Sequence, residues 1–349
     1  MQQIALKMTK TLSDYEGSGV QEKTRNSVIA ITGAHGFIGK RLVEKFLERG
    51  DVLIRSLVRC SNAHSRKYHN FTEIQGDLTK SETLSDFLLP GCSVINLAYG
   101  FESTPAENIR MTENLIEICK TNQVKRFIHC STAAVFGVQP ADIVNEESIC
   151  NPKTEYGLTK LLIEQKLQDG ARGHFEFINL RPTSVFGPGG VALSKLISDI
   201  TKRSMVLNYL RSCLFNKRRF NLVSVETLIA AILFIFDKGK EVDGQTYIVS
   251  EDDESINDFE FIEKYFLQEL CGKYYYLPPL KLPLNILSVM MIVYGKEFYN
   301  PRIIYDSSKI RKIGFQVPRP LISSLAEYIQ WKKNQSSFNP AKAHEDTER

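Results

Sequence analysis

Short apolar runs alternate with longer amphipathic stretches through the first half of the chain. The first run, Val28–Ile31, is rich in β-branched residues and predicts a buried parallel strand. Glycines follow it at three-residue steps, and apolar residues then recur at helical spacing in Lys40–Arg49. The order of strand, glycine turn and helix is typical of a βαβ unit.

This alternation predicts the remaining strands of a parallel sheet. They are expected at Val52–Val58, Thr72–Ile74, Ser93–Ala98, Val124–Cys130 and Phe175–Leu180. A helix is predicted over Asn108–Thr121, and Phe220–Val225, Thr227–Phe236 and Gln245–Val249 repeat strand, helix and strand as a return to the sheet. We therefore expect an α/β fold, a Rossmann-type doubly wound parallel sheet with a smaller, discontinuous α/β substrate domain.

The glycine loop of the first unit has the spacing of a dinucleotide-binding turn. Gly33 suits the tight turn, Gly36 lets backbone N–H groups approach a pyrophosphate, and Gly39 lets the helix pack closely. The helix N-terminus adds partial positive charge where the phosphates are expected. The alternative is an ordinary strand-to-helix turn, and the well-formed flanks favour dinucleotide binding.

The change of pattern along the chain predicts its domains. The expected domains are residues 27–188 with 220–250 for NAD(P) binding, and residues 189–219 with 251–334 for substrate binding. Residues 1–26 lack the apolar core of a secretory signal and are expected to form a flexible extension. The polar residues 335–349 are expected to be a disordered tail.

Composition and charge exclude several classes of protein. The chain has 349 residues, of which 43% are hydrophobic and 24% charged, as in ordinary soluble enzymes. Its net charge of +4 is spread along the chain and favours neither nucleic acid nor a membrane surface as partner. The seven cysteines form no C-x-x-C pair, which favours a reducing cytoplasm, and we expect no metal site.

One apolar stretch, Leu282–Gly295, stands between Lys281 and Lys296. It is shorter than the roughly 20 residues that cross a bilayer. We expect a core or subunit-interface helix, with association at a membrane interface as the alternative.

Two later segments carry chemistry. Tyr156 and Lys160 lie one turn apart on a predicted helix, so the phenol and the ammonium share a face. A nearby ammonium lowers the pKa of tyrosine, as does the positive charge of an oxidised nicotinamide, which allows proton exchange with a substrate hydroxyl near neutral pH. Ser131 and Thr132 follow a buried strand, at the strand end where such folds bind ligands. A Tyr-x-x-x-Lys pair alone is common on helix surfaces, but its order after the glycine loop and these hydroxyls indicates a catalytic site.

These motifs resemble the extended short-chain dehydrogenase/reductase superfamily, in its NAD-dependent epimerase/dehydratase branch. The resemblance extends from Val28 to Lys332. Its motifs are Thr32–Gly39, Gly76–Leu78, Asn96–Ala98, Asn108, Ser131 with Thr132, Tyr156 with Lys160, Arg181–Pro188, Asp306–Lys309 and Ile313 with Gly314. It implies an NAD(P)-dependent enzyme that acts on a small molecule as a homodimer.

The resemblance also implies roles for individual residues. Thr132 would hydrogen-bond the reacting oxygen, with Ser131 as its substitute, Tyr156 would be the general acid/base, and Lys160 would hold the nicotinamide ribose. The residues expected at the cofactor are Gly33, His35, Gly36, Phe37, Ile38, Arg59, Asp77, Leu78, Leu97, Ala98, Tyr156, Lys160, Pro182 and Val185. The residues expected at the substrate are Ser131, Thr132, Tyr156, Arg218 and Arg219.

Arg59 bears on the choice of cofactor. The second predicted strand ends at this arginine without the acid that binds the ribose hydroxyls in NAD-selective relatives. An arginine there favours NADP(H) through its 2′-phosphate, and an exposed side chain in a basic loop is the alternative. Arg218 or Arg219 is the candidate for a substrate diphosphate, again with a solvated basic loop as the alternative.

Departures from the family pattern narrow the reaction. Ala133 and Ala134 stand where dehydratases of the family carry Asp and Glu, which argues against 4,6-dehydration. Phe136 and Tyr99 replace the family's usual residues, and both are expected to reshape the substrate pocket.

Three functions stay open. The first is a nucleotide-sugar epimerase or ketoreductase that acts at a ring carbinol, C4, in the synthesis of surface-polysaccharide precursors. The second is an NADPH-dependent reductase of an apolar ketone, of the hydroxysteroid or dihydroflavonol type, which Arg59 and Leu282–Tyr294 favour. The third is a non-catalytic NAD(P)-binding scaffold, which the presence of Thr132, Tyr156 and Lys160 argues against.

Overall fold

The computed structural model describes residues 27–59, 68–293 and 300–335. The expected N-terminal extension, residues 1–26, lies outside the described residues, as does the expected tail apart from its first residue. Within the described ranges, no helix is long and apolar enough to cross a membrane.

Strands and helices alternate through the first half of the described chain, as the pattern predicts. The strands are β1 Ser27–Thr32, β2 Val52–Val58, β3 Phe71–Gln75, β4 Ser93–Asn96, β5 Arg126–Cys130, β6 Ile143–Val144, β7 Glu176–Pro182, β8 Ser184–Phe186, β9 Leu222–Ser224, β10 Thr246–Val249 and β11 Ile304–Tyr305. The α-helices are α1 Phe37–Arg49, α2 Pro105–Thr121, α3 Glu155–Ala171, α4 Ser194–Lys202, α5 Met205–Phe215, α6 Val225–Asp237, α7 Phe259–Cys271, α8 Leu284–Val293, α9 Ser308–Lys312 and α10 Leu321–Lys333. Short 3₁₀ turns lie at Ser81–Thr83, Ala133–Val135 and Lys240–Val242.

One seven-stranded sheet organises the fold, in the order β10-β7-β5-β4-β1-β2-β3. All of its strand pairs are parallel, which confirms the predicted Rossmann-type doubly wound sheet. The order reverses between β1 and β4, where Thr32 is paired with Asn96. In such sheets ligands bind in the crevice at the carboxyl ends of the strands beside this reversal.

Two apolar cores cover the two faces of this sheet. Phe46 of α1 and Ile235 of α6 are fully buried in one core. Leu115 of α2 and Leu167 of α3 are buried in the other. Helices therefore pack on both faces, as the alternating pattern predicts.

The expected return to the sheet at Phe220–Val225 is wrong. Only β10 joins the main sheet there, whereas β9 pairs with β8 in a separate two-stranded sheet. β9 has only three residues, because its last residue, Ser224, already caps α6 by accepting a hydrogen bond from the Thr227 N–H. The chain therefore passes into the helix before it can extend the main sheet.

A third core lies within the region expected to bind substrate. It includes Leu196 of α4, Phe266 of α7 and Tyr328 of α10. Ile310 and Phe315, from the same expected domain, pack instead in the core of the sheet. The domain boundaries given above therefore stay a prediction.

The helix α8 differs from its expected place in the core. Of its residues only Leu287 is buried, and several of its apolar side chains are exposed. Of the expected core or subunit-interface helix, the core placement is wrong, because uniformly apolar composition does not tell which face of a helix is covered; the subunit-interface placement stays a prediction.

Candidate active site

The glycine loop between β1 and α1 is shaped by close backbone contacts. Gly33 has a φ of +70°, and a Cβ built on it would lie 2.9 Å from the Ala98 nitrogen. A Cβ on Gly39 would lie 2.6 Å from the Ala34 Cα and closer still to the Gly33 carbonyl oxygen. Both positions therefore require glycine, for the turn and for the close packing of α1.

The N-terminus of α1 is open to an anion. Gly36 is the N-cap residue and makes no side-chain capping bond, and the first turn holds no acidic residue. The first N–H groups of the helix are therefore left for an outside acceptor, with the partial positive charge of the helix behind them.

Three other predicted cofactor residues lie around this loop. The His35 Nε2 lies 2.9 Å from the Glu73 Oε1, and Glu73 is almost fully buried on β3. The Phe37 ring packs beneath the backbone at Gly190, where an added Cβ would lie 2.7 Å from the ring. Ile38 packs against the core of the sheet. Sequence reasoning missed Glu73, which belongs to no motif.

A buried polar chain ties three strand ends together. The Thr32 hydroxyl donates to the Asn96 Oδ1 at 2.5 Å, and the Asn96 Nδ2 lies 3.2 Å from the His129 Nδ1. Burial, together with the charge of Lys160, holds the pKa of His129 well below its usual range. His129 is therefore a neutral partner that fixes β1, β4 and β5 side by side, and sequence reasoning did not single it out.

Thr132, Tyr156 and Lys160 meet where β5 ends and α3 begins. The Thr154 hydroxyl caps α3 by accepting from the Gly157 N–H at 3.1 Å, which sets Tyr156 in the first turn. The Thr132 hydroxyl accepts from the Ala134 N–H at 3.2 Å and lies close enough to the Tyr156 phenol to lower its pKa. One turn later, the buried Lys160 Nζ donates to the Cys130 carbonyl oxygen at 3.0 Å.

The pKa of Tyr156 does not follow the expectation. Burial raises it to about 12, against a smaller lowering by the nearby Thr132 hydroxyl. Burial also lowers the pKa of Lys160 from its usual 10.5, so in the isolated chain the ammonium loses its proton before the phenol does. The predicted lowering of the Tyr156 pKa by Lys160 is therefore wrong for the chain on its own, because no positive charge remains when the phenol ionises.

Aromatic side chains form a wall beside the phenol. The Tyr99 ring meets the Tyr156 ring edge to face at 5.1 Å, and the Phe101 ring stacks on it at 6.0 Å. Phe101 is 82% exposed, so its ring faces outward. Tyr99 thus lies at the site as expected, whereas Phe101 was missed because it belongs to no motif.

Phe136 does not reach the site. It is fully buried, and the Arg181 guanidinium lies 4.8 Å from its ring centroid. Arg181 in turn makes a buried ion pair with Glu164 at 2.7 Å. The expectation that Phe136 reshapes the substrate pocket is wrong, because the 3₁₀ turn Ala133–Val135 carries it into the core.

The other predicted residues lie along the carboxyl edge of the sheet. Leu97 accompanies Ala98 beside Gly33, Pro182 ends β7, and Val185 lies on β8. The Ser131 Oγ is buried and has no partner among the described residues. These placements match a ligand crevice at the strand ends.

Asp77 and Arg59 lie beyond β3 and β2. The Asp77 Oδ1 accepts from the N–H and the hydroxyl of Thr79, both at 2.9 Å, and these bonds lower the pKa of Asp77. Arg59 is exposed, and its charge adds to that lowering. Leu78 lines a small cavity with Asn96 and others.

The basic segment after α5 is packed rather than solvated. The Arg219 Nη2 donates to the backbone carbonyl oxygens of Asp252 and Glu254. The Arg218 guanidinium lies 5.3 Å from the Phe215 ring and 5.5 Å from the Phe220 ring. Arg219 thus holds the backbone, and Arg218 is the better placed of the two for a ligand. Within the described ranges, no cluster of His, Cys, Asp or Glu side chains has the makings of a metal site.

Known proteins resemble the chain over most of its length. A model of the NAD dependent epimerase/dehydratase family matches residues 29–250. The ADP-L-glycero-D-manno-heptose-6-epimerase of Cupriavidus pinatubonensis is 25% identical over 335 residues, 87% of this chain and 98% of that protein. Short-chain dehydrogenase/reductase family 42E member 1 of Xenopus laevis is 28% identical over 74% of this chain and 71% of its own.

Solved structures share the fold. The dTDP-glucose 4,6-dehydratase of Bacillus anthracis, crystallised in complex with NAD, superimposes with a TM-score of 0.66 at 18% identity. The match covers 89% of this chain and 98% of that one. The matched family region runs from β1 through the glycine loop and Tyr156 to the residue after β10.

Proposed function

Because the chain belongs to the NAD dependent epimerase/dehydratase family, we propose that it transfers a hydride at a carbinol carbon of a nucleotide sugar, at C4. The expected family and the expected class of enzyme are confirmed. The finer assignment to an epimerase or a ketoreductase rests on one observation. Thr132, Tyr156 and Lys160 converge at the carboxyl edge of the sheet, where β5 ends.

The residues around α1 fit a dinucleotide. The glycine turn leaves no room for a Cβ, and the first N–H groups of α1 have no capping side chain, so a pyrophosphate can accept from them. Asp77 and Leu78 would hold the adenine end, and Lys160 the nicotinamide ribose. When bound, NAD supplies the chemistry of accepting a hydride from the carbon that carries the substrate hydroxyl.

Tyr156 would move the proton of that hydroxyl. As the carbinol is oxidised to a ketone, its O–H proton passes to the phenolate, and the reverse transfer accompanies reduction. Burial keeps the phenol protonated in the isolated chain, and a positive charge brought beside it lowers its pKa. Thr132, which lies beside the phenol, would hold the reacting oxygen.

The names of two similar proteins point to the substrate class. The Cupriavidus relative is named for an ADP-sugar and the Bacillus structure for a dTDP-sugar. Arg218 is our candidate for the diphosphate of such a substrate. Since Ala133 and Ala134 carry no acid or base, the proposal excludes 4,6-dehydration.

A second candidate function is reduction of an apolar ketone. The aromatic wall of Tyr99 and Phe101 beside Tyr156 favours it, because exposed rings bind apolar ligands well. Calorimetry with UDP, ADP and dTDP separates the two, since only the first function predicts saturable binding of a nucleoside diphosphate.

The comparisons do not support a preference for NADP(H). The family is named for NAD, and the Bacillus structure contains NAD. The preference is now carried by Arg59 alone and stays a prediction. We also propose a homodimer, supported by the exposed apolar residues Leu158 and Leu162 on α3, and a cytoplasmic enzyme, supported by the free thiols of the six described cysteines.

The proposal is tested by turnover. A screen of UDP-, GDP-, ADP- and dTDP-sugars with NAD, NADP and their reduced forms should yield an epimer or a reduced sugar. A wild-type chain that binds NAD but turns over none of these sugars and binds no nucleoside diphosphate would contradict the proposal.

A further inference from the structure

An apolar surface lies on the outside of the region that holds the third core. It is formed by Val206 and Leu210 on α5 and by Ile286, Val289, Met290 and Val293 on α8. Val206 is 68% exposed and Val293 is 79% exposed. Exposed apolar side chains scattered singly are normal, but a contiguous group marks an interaction site.

The helix α8 presents this surface in a regular way. Ile286, Val289, Met290 and Val293 follow the i, i+3, i+4, i+7 spacing of one helix face. On the side toward the protein only Leu287 is buried. A surface helix of a soluble protein normally turns its polar face outward, and α8 turns an apolar face outward instead.

Hydrogen bonds join the end of α5 to the segment that leads into α8. The Tyr209 hydroxyl donates to the Pro278 carbonyl oxygen at 3.2 Å. The Leu282 N–H donates to the Cys213 carbonyl oxygen at 3.3 Å, and the Asn216 Nδ2 donates to the Leu282 carbonyl oxygen at 2.8 Å. These hydrogen bonds therefore hold α5 and α8 side by side, so that their exposed apolar side chains form one surface.

The two segments that carry the apolar surface contain basic residues and no acidic ones, and the acids that pair with Arg211 and Lys217 come from other elements. Neither residues 200–219 nor residues 272–293 contain an Asp or a Glu, although both contain lysine. Lys202 and Lys281 are exposed. Positive side chains at the rim of an apolar surface complement the anionic headgroups of a lipid leaflet.

Two exposed tyrosines lie in the segment next to the apolar surface. Tyr274 and Tyr276 are 67% and 91% exposed in the segment that leads to α8, with their rings 5.5 Å apart. Tyrosine is enriched at the boundary between lipid and water, because its ring is apolar and its hydroxyl is polar.

We propose that this apolar surface binds the surface of an anionic lipid bilayer, with α8 lying in the interface. A second copy of the chain is the competing occupant. In a two-fold contact through this face, the same residues of both copies would meet, so Lys202 and Lys281 would face like charges with no acid in either segment. The exposed Lys202 and Lys281 therefore favour the lipid surface, which supplies the opposite charge.

Vesicle co-sedimentation tests the proposal. The full chain is mixed with vesicles of phosphatidylcholine alone or of phosphatidylcholine with phosphatidylglycerol. The wild type should partition onto the anionic vesicles, less so at high salt. The double variant Val289→Glu/Met290→Glu should partition about tenfold or more weakly, because both charged side chains would have to enter the apolar layer.

Matched variants keep the outcome clear. Leu89→Glu changes a leucine before β4 that is 40% exposed, close to the 37% of Met290. This variant should bind vesicles like the wild type. Lys281→Glu leaves the apolar residues in place and should weaken binding to anionic vesicles alone. Thermal melts show whether each variant is folded.

Two results would overturn the proposal. One is a wild type that stays in the supernatant with anionic vesicles, or a double variant that binds them as well as the wild type. The other is a lipid-free oligomer, seen by light scattering, that the double variant dissolves, because the face would then belong to a second copy. Neither result touches turnover of a water-soluble sugar substrate, so the proposed enzyme activity is tested separately.

Discussion

A single methyl group added at Gly39 should displace the start of α1 and leave the rest of the fold in place. In Gly39→Ala the new Cβ would lie 2.6 Å from the Ala34 Cα, whereas ordinary contact begins at 3.4 Å. These neighbours are backbone atoms, which cannot swing aside as the tip of a side chain can. The start of α1 must therefore move outward by at least about 0.8 Å, since the Gly33 carbonyl oxygen is closer still, and the N–H groups proposed to bind the pyrophosphate move with it.

A shift of this size should show in NAD binding. Misplacing a binding group by about 1 Å costs on the order of a hundredfold, so we expect about that loss of NAD affinity in Gly39→Ala. Overpacking should also cost about 1–3 kcal/mol of the free energy of unfolding. Titration calorimetry with NAD and urea unfolding measure the two quantities on the same preparation.

Gly50→Ala is the matched control. Gly50 ends the same helix with a φ of +69°, and a Cβ there would meet nothing within 4 Å. We expect a loss of about 1–2 kcal/mol from the left-handed backbone and no change in NAD affinity. Wild-type NAD affinity in Gly39→Ala would refute the assignment of the α1 N-terminus as the pyrophosphate site.

Three further predictions address the proposed chemistry. Tyr156→Phe keeps the ring and removes the proton carrier, so NAD should still bind while steady-state turnover falls about 100-fold or more; near-wild-type turnover would remove Tyr156 from the mechanism. Lys160→Met should weaken NAD binding and move the pH profile of substrate oxidation to higher pH. The reason is that an ammonium next to the phenol favours phenolate once the pKa of Tyr156 has fallen below that of Lys160. An unmoved pH profile would limit the role of Lys160 to binding. Arg59→Asp should weaken NADP binding by about 1.5–3 kcal/mol and leave NAD binding nearly unchanged in calorimetry, and equal losses would show that Arg59 contacts no 2′-phosphate.

Features with a local cause could be predicted from the sequence. The positive φ of Gly33 and the close packing of Gly39 on Gly33 and Ala34 arise within one short turn, so three glycines at fixed steps suffice to indicate them. The central strands of the sheet, such as β1 and β4, could also be predicted, because a strand that is covered on both faces is largely apolar.

Features that depend on distant contacts could not be predicted. Phe101 and Glu73 belong to no motif, and only the folded chain brings them beside Tyr156 and His35. The outward apolar face of α8 has the same cause, since composition gives the hydrophobicity of a helix and not the side on which it is covered.

For Tyr156 and Lys160, the spacing in the sequence predicts that the side chains share a helix face, whereas their burial determines their pKa values. Helical spacing alone puts both side chains on one face, and from that face an ammonium is expected to acidify the phenol. Burial acts on the two groups in opposite directions, because it favours the neutral form of each: it raises the pKa of Tyr156 to about 12 and lowers that of Lys160. The order of ionisation is therefore reversed in the isolated chain, and a positive charge beside the phenol is needed to restore it. Under the proposed function an oxidised dinucleotide would supply that charge, so the spacing of Tyr156 and Lys160 indicates the pair but does not by itself set the pKa of the phenol.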